Sequence, residues 1–368
     1  MEEKKHIEKS DATVVSIIIP LYNCQDFIQE CLDSIFAQTL TSDSYQQVKL
    51  ELSIYEDGST DNTLKIVEES FQKLKNDTTN GDKFSLVISK NESASPHGVG
   101  FGRNRAIEQS SGEYLCFCDG DDIMEPTRVI TQLELASKNH DALVGSRFKR
   151  IPEDSTHNFA FWANNLTRDQ LETQIYLTFG PTIVMPTWFC HRSVVVDKIP
   201  GGFDETGKGT PEDLIFFYKH LDAGGRVERC PEILMIYRYH ANATTFSVSD
   251  ETIRRIRLDR MESLVLNKWD KFTIWNAGKS GRRLYRGLKE ITRKKVVAFC
   301  DVDDAKLKQR FYNPYPLKEK LPIVSIQEAQ PPFVICVKTE LIWDESGPFR
   351  RLLDSLSLTE GIDYVFFN

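Results

Sequence analysis

The sequence predicts an α/β fold: a mostly parallel sheet with helices on both faces over residues 14–270, then a small α/β unit over 271–368, with 1–13 a flexible lead. Three observations carry this expectation. Buried β-branched runs alternate with amphipathic helical stretches between Val14 and Cys118. Polar clusters at 20–23, 56–61, 97–104 and 119–122 close those runs, at the edge where open parallel sheets bind ligands. A second strand–turn–helix–strand pattern begins at Phe272.

Val14–Ile19 reads as a buried strand closed by Pro20, and Asn23 with Asp26 as a helix start before Ile28, Leu32, Ile35 and Phe36. Leu50–Tyr55 is a second strand. Asp61 caps a helix with the stripe Leu64, Val67, Phe71, Leu74. Phe84–Ser89 is a third strand, and a glycine-rich turn at Gly98, Gly100 and Gly102 leads to a helix around Arg103. Tyr114–Cys118 is the fourth. Pro211-Glu212-Asp213 opens a later helix, Ile233–Tyr239 is a strand ending at His240, and 250–271 is helical. In the C-terminal unit Phe272–Trp275, Lys295–Cys300, Phe333–Val337 and Tyr364–Phe367 are strands of a Rossmann-like module.

The chain has 368 residues, 27% charged, and a net charge of −8, which argues against a surface that coats nucleic acid generally but leaves room for a local basic patch. Its eight cysteines lie mostly in apolar runs without metal-ligand spacing, the pattern of a reducing compartment. No signal peptide and no apolar run of spanning length is evident, so a cytoplasmic protein without a membrane partner is expected.

Asp119-Gly120-Asp121-Asp122 follows a buried strand, and clustered carboxylates there repel unless a cation sits among them. Asp121 is the candidate ligand of Mg2+ or Mn2+, with Asp119 nearer a ribose and Asp122 in support; a capping turn before Pro126 is the alternative. Asp57 can accept from uracil N3–H or a ribose hydroxyl, or simply close a turn. Pro20, Tyr22 and Asn23 can read or pack on a base, or merely stop a strand. Arg103 suits a phosphate. Asp213 can act as general base or complement a helix dipole, and Glu212 beside it joins the substrate-binding set. His240 is a metal ligand, a phosphate contact or a structural histidine. Trp188 stacks on a sugar or base, or packs in the core.

Taken in order, Ile17–Asn23, Glu56–Asp61, Gly102-Arg103-Asn104, Asp119–Asp122, Gly202–Glu205 and Glu212-Asp213 resemble family 2 glycosyltransferases of the GT-A fold, a Rossmann-like mixed sheet. The resemblance covers about residues 14–245. It implies inverting, metal-dependent transfer from a UDP-sugar, with Asp57 on the uridine, Asp119 on the ribose, Asp121 on the metal and Asp213 as base. Glu56 stands where Asp is frequent. Segments 180–190, 211–218, 272–285 and 295–303 are similar to a narrower group in that family, the queuosine-tRNA galactosyltransferases. That likeness implies UDP-galactose as donor and queuosine in the anticodon of tRNA-Tyr as acceptor. The rivals are a UDP-GlcNAc β-1,3-N-acetylglucosaminyltransferase acting on a glycan, and a non-catalytic RNA-binding protein.

Lys279, Arg282, Arg283 and Arg286 are candidate tRNA contacts, with Arg254, Arg255, Arg257 and Arg260 as a second cluster; a solvated helix face is the alternative. Asn276–Gly281 approaches a dinucleotide fingerprint with Asn276 in place of the first glycine, and no NAD is expected.

Overall fold

The computed structural model describes residues 12–45, 48–77, 81–93, 95–177, 180–241, 243–315, 320–344 and 346–368. Most of the expected flexible lead, residues 1–11, lies outside them. The chain forms two compact units, one from Met1–Asn164 with Ile183–Val248 and one from Asn165–Thr182 with Ser249–Asn368. The sequence division at 270 therefore differs from the structure. Residues 249–270 join the second unit because Arg254 and Leu258 pack on Gly287, and 165–182 join it because Thr173 and Gln174 donate to Glu360.

The first unit opens with β1 (Thr13–Leu21), α1 (Ile28–Phe36), β2 (Val48–Glu56), α2 (Thr63–Lys75), β3 (Phe84–Lys90), α3 (Val99–Gln109) and β4 (Tyr114–Phe117). It continues through β5 (Ile123–Met124), α4 (Arg128–Ala136), β6 (Ala142–Ile151) and α5 (His157–Asn165). The short α6 (Gln170–Thr173) belongs to the second unit, and β7 (Phe189–His191), α7 (Ser193–Val196), α8 (Glu212–Asp222) and β8 (Arg226–Arg238) complete the first. Its strands form one sheet in the order β3-β2-β1-β4-β7-β6-β8-β5. The first four are parallel; β7 runs antiparallel to both β4 and β6, so the sheet is mixed.

Pro20 does not stop β1: it pairs with Tyr55 inside the strand. The carbonyl of Leu21 accepts from Asp57 on the β2 side, while that of Ile18 accepts from Cys118 on the β4 side. Alternation thus turns the missing N–H of Pro20 to the β4 side, past the last β4 pair at Phe117, where no ladder bond is lost. The glycine-rich turn is also corrected. Gly100 and Gly102 lie inside α3, and only Gly98 precedes it, with φ +101°. A Cβ on Gly100 would stand 2.1 Å from the Asp204 carbonyl, and one on Gly102 3.0 Å from Pro20 Cβ. These glycines let backbones approach rather than cradle a phosphate. Likewise α1 starts at Ile28, later than the Asn23–Asp26 signal, because Asn23 takes φ +51° and belongs to a turn.

The second unit holds α9 (Asp250–Met261), which passes into a π-helical turn at Glu262–Leu266 rather than running to 271. Next come β9 (Phe272–Trp275), α10 (Lys279–Gly287), α11 (Glu290–Arg293), β10 (Val296–Asp301), α12 (Asp304–Leu307), β11 (Phe311–Tyr312) and β12 (Leu321–Ser325). It closes with β13 (Phe333–Ile335), α13 (Thr339–Trp343), α14 (Pro348–Ser355) and β14 (Tyr364–Phe366). The strand order is β11-β12-β10-β9-β13-β14, parallel except for β11, so β12-β10-β9-β13-β14 repeat the 3-2-1-4-5 winding of dinucleotide-binding sheets. Asn276 takes φ +121°, and Asp301, where a ribose-binding acid would stand, accepts from Ala277 N–H at 2.8 Å and pairs with Lys306 at 3.2 Å. Among the described residues no helix is long and apolar enough to cross a membrane.

Candidate active site

Parallel pairing of β1, β2, β3 and β4 brings the segments after their carboxyl ends to one edge of the sheet. Two of these are joined to each other. Asn23 N–H donates to Ser59 Oγ at 2.9 Å, its Oδ1 accepts from Thr60 N–H at 2.9 Å, and Gln25 N–H donates to Asp61. Asp61 also accepts from Thr63 N–H at 2.9 Å, but from one position before the N-cap, which is Asn62 rather than the Asp61 expected. Tyr22, beside this pairing, is 45% exposed.

Asp57 is buried and already saturated on one side. Its carboxylate accepts from Asn91 Nδ2 at 2.9 Å, His97 N–H at 2.9 Å and Gly98 N–H at 2.8 Å, so it fixes the segment entering α3. Asn91 and His97 escaped sequence reasoning because nothing in their spacing links them to Asp57. Glu56 accepts from Ser59 N–H and supports the same turn.

Arg103 differs most from expectation. It is buried, and its guanidinium bridges Asp119 (2.8 Å) and Glu212 while lying 5.5 Å from the centre of the Phe203 ring. Burial opposes its charge, but the two carboxylates hold it firmly protonated. Its ionic partners are protein carboxylates rather than a phosphate, and Asp119, expected at a ribose, is held by it. Only Nε is buried without a partner. One guanidinium thus ties the end of β4 to the first turn of α8, where Asp213 follows Glu212.

Asp213 is half-buried. Its Oδ1 accepts from Leu214 N–H at 2.6 Å, which leaves Oδ2 as the oxygen available to a proton. Burial, then the charge of Glu212, push its carboxyl up to about 7, against the opposing pull of Arg103. A carboxylate titrating there is matched to general-base work near neutral pH.

Asp121 and His240 meet at the same edge, Oδ2 to Nε2 at 2.8 Å, both about a quarter or less exposed. Burial and the nearby Asp119 raise the Asp121 carboxyl, and His240 draws it back. The His240 ring packs 4.8 Å from Phe27, and its Nδ1 is buried without a partner, so Nε2 is the nitrogen turned to the carboxylate. Arg238 orders this turn: its backbone N–H donates to Asp122 at 2.8 Å, its Nε donates to the Asp121 carbonyl at 2.8 Å, and its guanidinium pairs with Glu30. Asp122 is fully buried, with its carboxyl raised well above the usual range by burial and the charges of Asp121 and Asp119. Among the described residues no three His, Cys, Asp or Glu side chains are grouped to hold an ion alone. A hard-oxygen and imidazole pair nonetheless fits Mn2+ or Mg2+ when substrate phosphates supply further ligands.

Trp188 is a core residue, contrary to one expectation. It is fully buried among Phe117, Phe203, Phe216 and Phe217, with Nε1 donating to the Ile183 carbonyl at 2.9 Å. Its aromatic neighbours arrive from three separate segments, which no local pattern announces.

The basic run of α10 divides. Arg283 pairs with Glu251 at 2.9 Å, whereas Arg282 donates to Gln309 at 2.7 Å, Arg286 donates to Tyr312 Oη at 2.9 Å, and Lys279 is exposed.

A family profile described as Glycosyl transferase family 2 matches residues 16–199. The chain is similar to the poly(ribitol-phosphate) beta-glucosyltransferase of Bacillus spizizenii, 29% identical over 45% of this chain and 24% of that protein. It is similar to the uncharacterized glycosyltransferase EpsJ of Bacillus subtilis, 28% identical over 63% of each. It therefore spans less than two thirds of either relative. Among solved structures it resembles S. aureus TarS in complex with UDP-GlcNAc, with TM-score 0.50 and 19% identity over 76% of this chain and 71% of TarS, a likeness of fold.

Proposed function

This chain belongs to glycosyl transferase family 2, and on that premise we propose that it is an inverting hexosyltransferase using a UDP-sugar and a divalent ion, Mn2+ or Mg2+. The observation that carries the reading is the Asp119–Arg103–Glu212 bridge. It links Asp119, two residues before Asp121, to Glu212, the neighbour of Asp213, and so supports a shared site for the Asp121–His240 pair and the Asp213 carboxyl.

In this mechanism Asp57, Pro20, Tyr22 and Asn23 receive the uridine, Asp57 through acceptor capacity beyond its three N–H partners. Asp121 and His240 would hold the ion, which when bound would offset charge on the departing diphosphate. Asp213 Oδ2 takes the acceptor hydroxyl proton as the new glycosidic bond forms at the anomeric carbon and the bond to UDP breaks on the opposite face. Arg103 keeps Asp119 and Glu212 in place rather than gripping phosphate.

For the finer assignment we propose UDP-galactose as donor and queuosine in tRNA-Tyr as acceptor, on the strength of the sequence likeness over 180–190, 211–218, 272–285 and 295–303. The test is incubation with UDP-galactose, UDP-glucose or UDP-GlcNAc and bulk tRNA, followed by mass spectrometry of the nucleosides. One added hexose on queuosine from UDP-galactose is expected. Transfer from UDP-GlcNAc to an oligosaccharide, with tRNA untouched, would replace this acceptor.

A further inference from the structure

Among the described residues three arginines of the first unit are buried, and protein oxygens answer two of them. Arg103 bridges Asp119 and Glu212. Arg128 donates to Gln132 Oε1 and to the carbonyls of Phe117 and Trp188. Arg150, 9% exposed, makes no ion pair and donates to no carbonyl, and its Nε is buried without a partner. Burial lowers its guanidinium from the usual value, and Tyr237 and Asp122 pull the other way without forming an ion pair. Its neighbours are rings. The guanidinium carbon lies 4.0 Å from the centre of the Tyr237 ring, 5.4 Å from that of Phe148, and 5.7 Å from those of Phe159 and Tyr239. Rings offset part of a cation's desolvation but supply no oxygen to its N–H donors. A buried cation in that state is costly until a ligand answers it.

The place of Arg150 in the sheet says where that ligand comes from. Because β7 runs antiparallel to both β4 and β6, and β8 runs parallel to β6, the strands β4, β6 and β8 share one direction. Arg150 pairs with Tyr237, and the next pair is Ile151↔Arg238, whose Arg238 N–H donates to Asp122. The carboxyl ends of β6 and β8 thus reach the edge that carries Asp119–Asp122. In the strand order they stand on the far side of β4 from β1 and β2, whose following segments hold Asn23 and Asp57. Arg150 is therefore away from the proposed uridine segments, on the side left to an acceptor. Tyr239, 37% exposed, and Phe246, 55% exposed, carry the aromatic face into solvent, their rings edge to face at 5.5 Å.

We propose that Arg150 is a specificity-determining contact for an acceptor that carries an oxyanion, a phosphoryl or carboxylate group, beside a ring. Two oxygens of the anion meet the N–H fork of the guanidinium, and the adjoining ring lies against Tyr239 and Phe246. Calling the ligand an acceptor rests on the transferase reading above; the anion site itself rests on the unanswered guanidinium and its position in the sheet.

Calorimetry of the full chain with phenyl phosphate, benzoate and benzyl alcohol tests this. The first two offer a phosphoryl and a carboxylate oxyanion on the same ring, and the third a ring without charge. At least one anion should bind about tenfold or more tighter than benzyl alcohol, and the tighter of the two identifies the oxyanion. Arg150→Gln should level the anions with benzyl alcohol. Arg150→Lys, which keeps the charge and loses the fork, should keep part of the preference. Saturating UDP should leave these affinities unchanged. A thermal melt of each variant identifies any that misfolds, and Phe246→Ala, at an exposed ring, keeps the test open: it should weaken phenyl phosphate and leave inorganic phosphate unchanged. An anion preference kept by Arg150→Gln, absent from the wild-type chain or abolished by saturating UDP would overturn the proposal. UDP binding measured alongside separates the two readings. Anion bound through Arg150 with no UDP bound would sink the transferase reading alone, and UDP bound with no anion preference would sink the Arg150 site alone.

Discussion

Asp213 should control the acid limb of the transfer reaction, and its surroundings set where that limb falls. Burial and the neighbouring Glu212 charge bring the carboxyl to about 7. Such a group is ionised to roughly a tenth at pH 6 and roughly nine tenths at pH 8, so kcat/KM should climb about tenfold between them. Asp213→Asn should remove that limb and lower transfer by about 10²–10⁴-fold, leaving the dissociation constant for UDP within about twofold. Stability gives a second, independent readout. A carboxyl raised on folding favours the folded state below its unfolded value, near 4, and that contribution is lost as pH rises through about 7. Asp213→Asn should therefore raise the melting temperature more at pH 8 than at pH 4. The assays are initial rates of UDP release with saturating acceptor, and thermal melts across the same buffers. An acid limb centred near 4, or a variant that retains both turnover and limb, would refute the reasoning.

Arg103→Gln leaves two partly buried carboxylates without their cation and should lower unfolding free energy by about 3–5 kcal/mol in urea titrations. Its acid limb should move to higher pH, since Arg103 opposes the rise at Asp213. If Asp121 and His240 are its protein ligands, as proposed, Mn2+ should bind weakly alone and more tightly with UDP by calorimetry. Asp121→Asn should abolish that synergy. Trp188→Ala should cost about 3–5 kcal/mol of stability, as expected for emptying a fully buried aromatic site. Lost transfer at unchanged stability would return Trp188 to the acceptor pocket.

The strands of the first unit were legible because β-branched runs such as Val14–Ile19 bury both faces, and their chemistry-bearing ends follow from parallel winding. Asp119 and Asp121 were nameable for the same reason, and Glu212 and Asp213 from the helix they open, although no spacing in sequence links residue 121 to residue 240. Arg103 was visible as a residue but not as a bridge, because its two partners lie 16 and 109 positions away. The glycines misled because glycine serves a loop that needs positive φ and a helix that needs close approach equally well, and only the Asp204 carbonyl decides between them. Trp188 misled in the same manner: a lone aromatic has no periodicity to declare which side it faces.

The excursion of residues 165–182 restricts how this protein can be divided. The chain passes between its two units three times, at 164/165, 182/183 and 248/249. Ending translation at residue 248 would strand Leu171, Ile175, Tyr176 and Leu177, all buried in the intact molecule, and leave Thr173 and Gln174 without Glu360. Neither unit is therefore a cassette that one cut can liberate. Gene shuffling that exchanges the C-terminal portion alone would have to transplant an eighteen-residue internal segment with it.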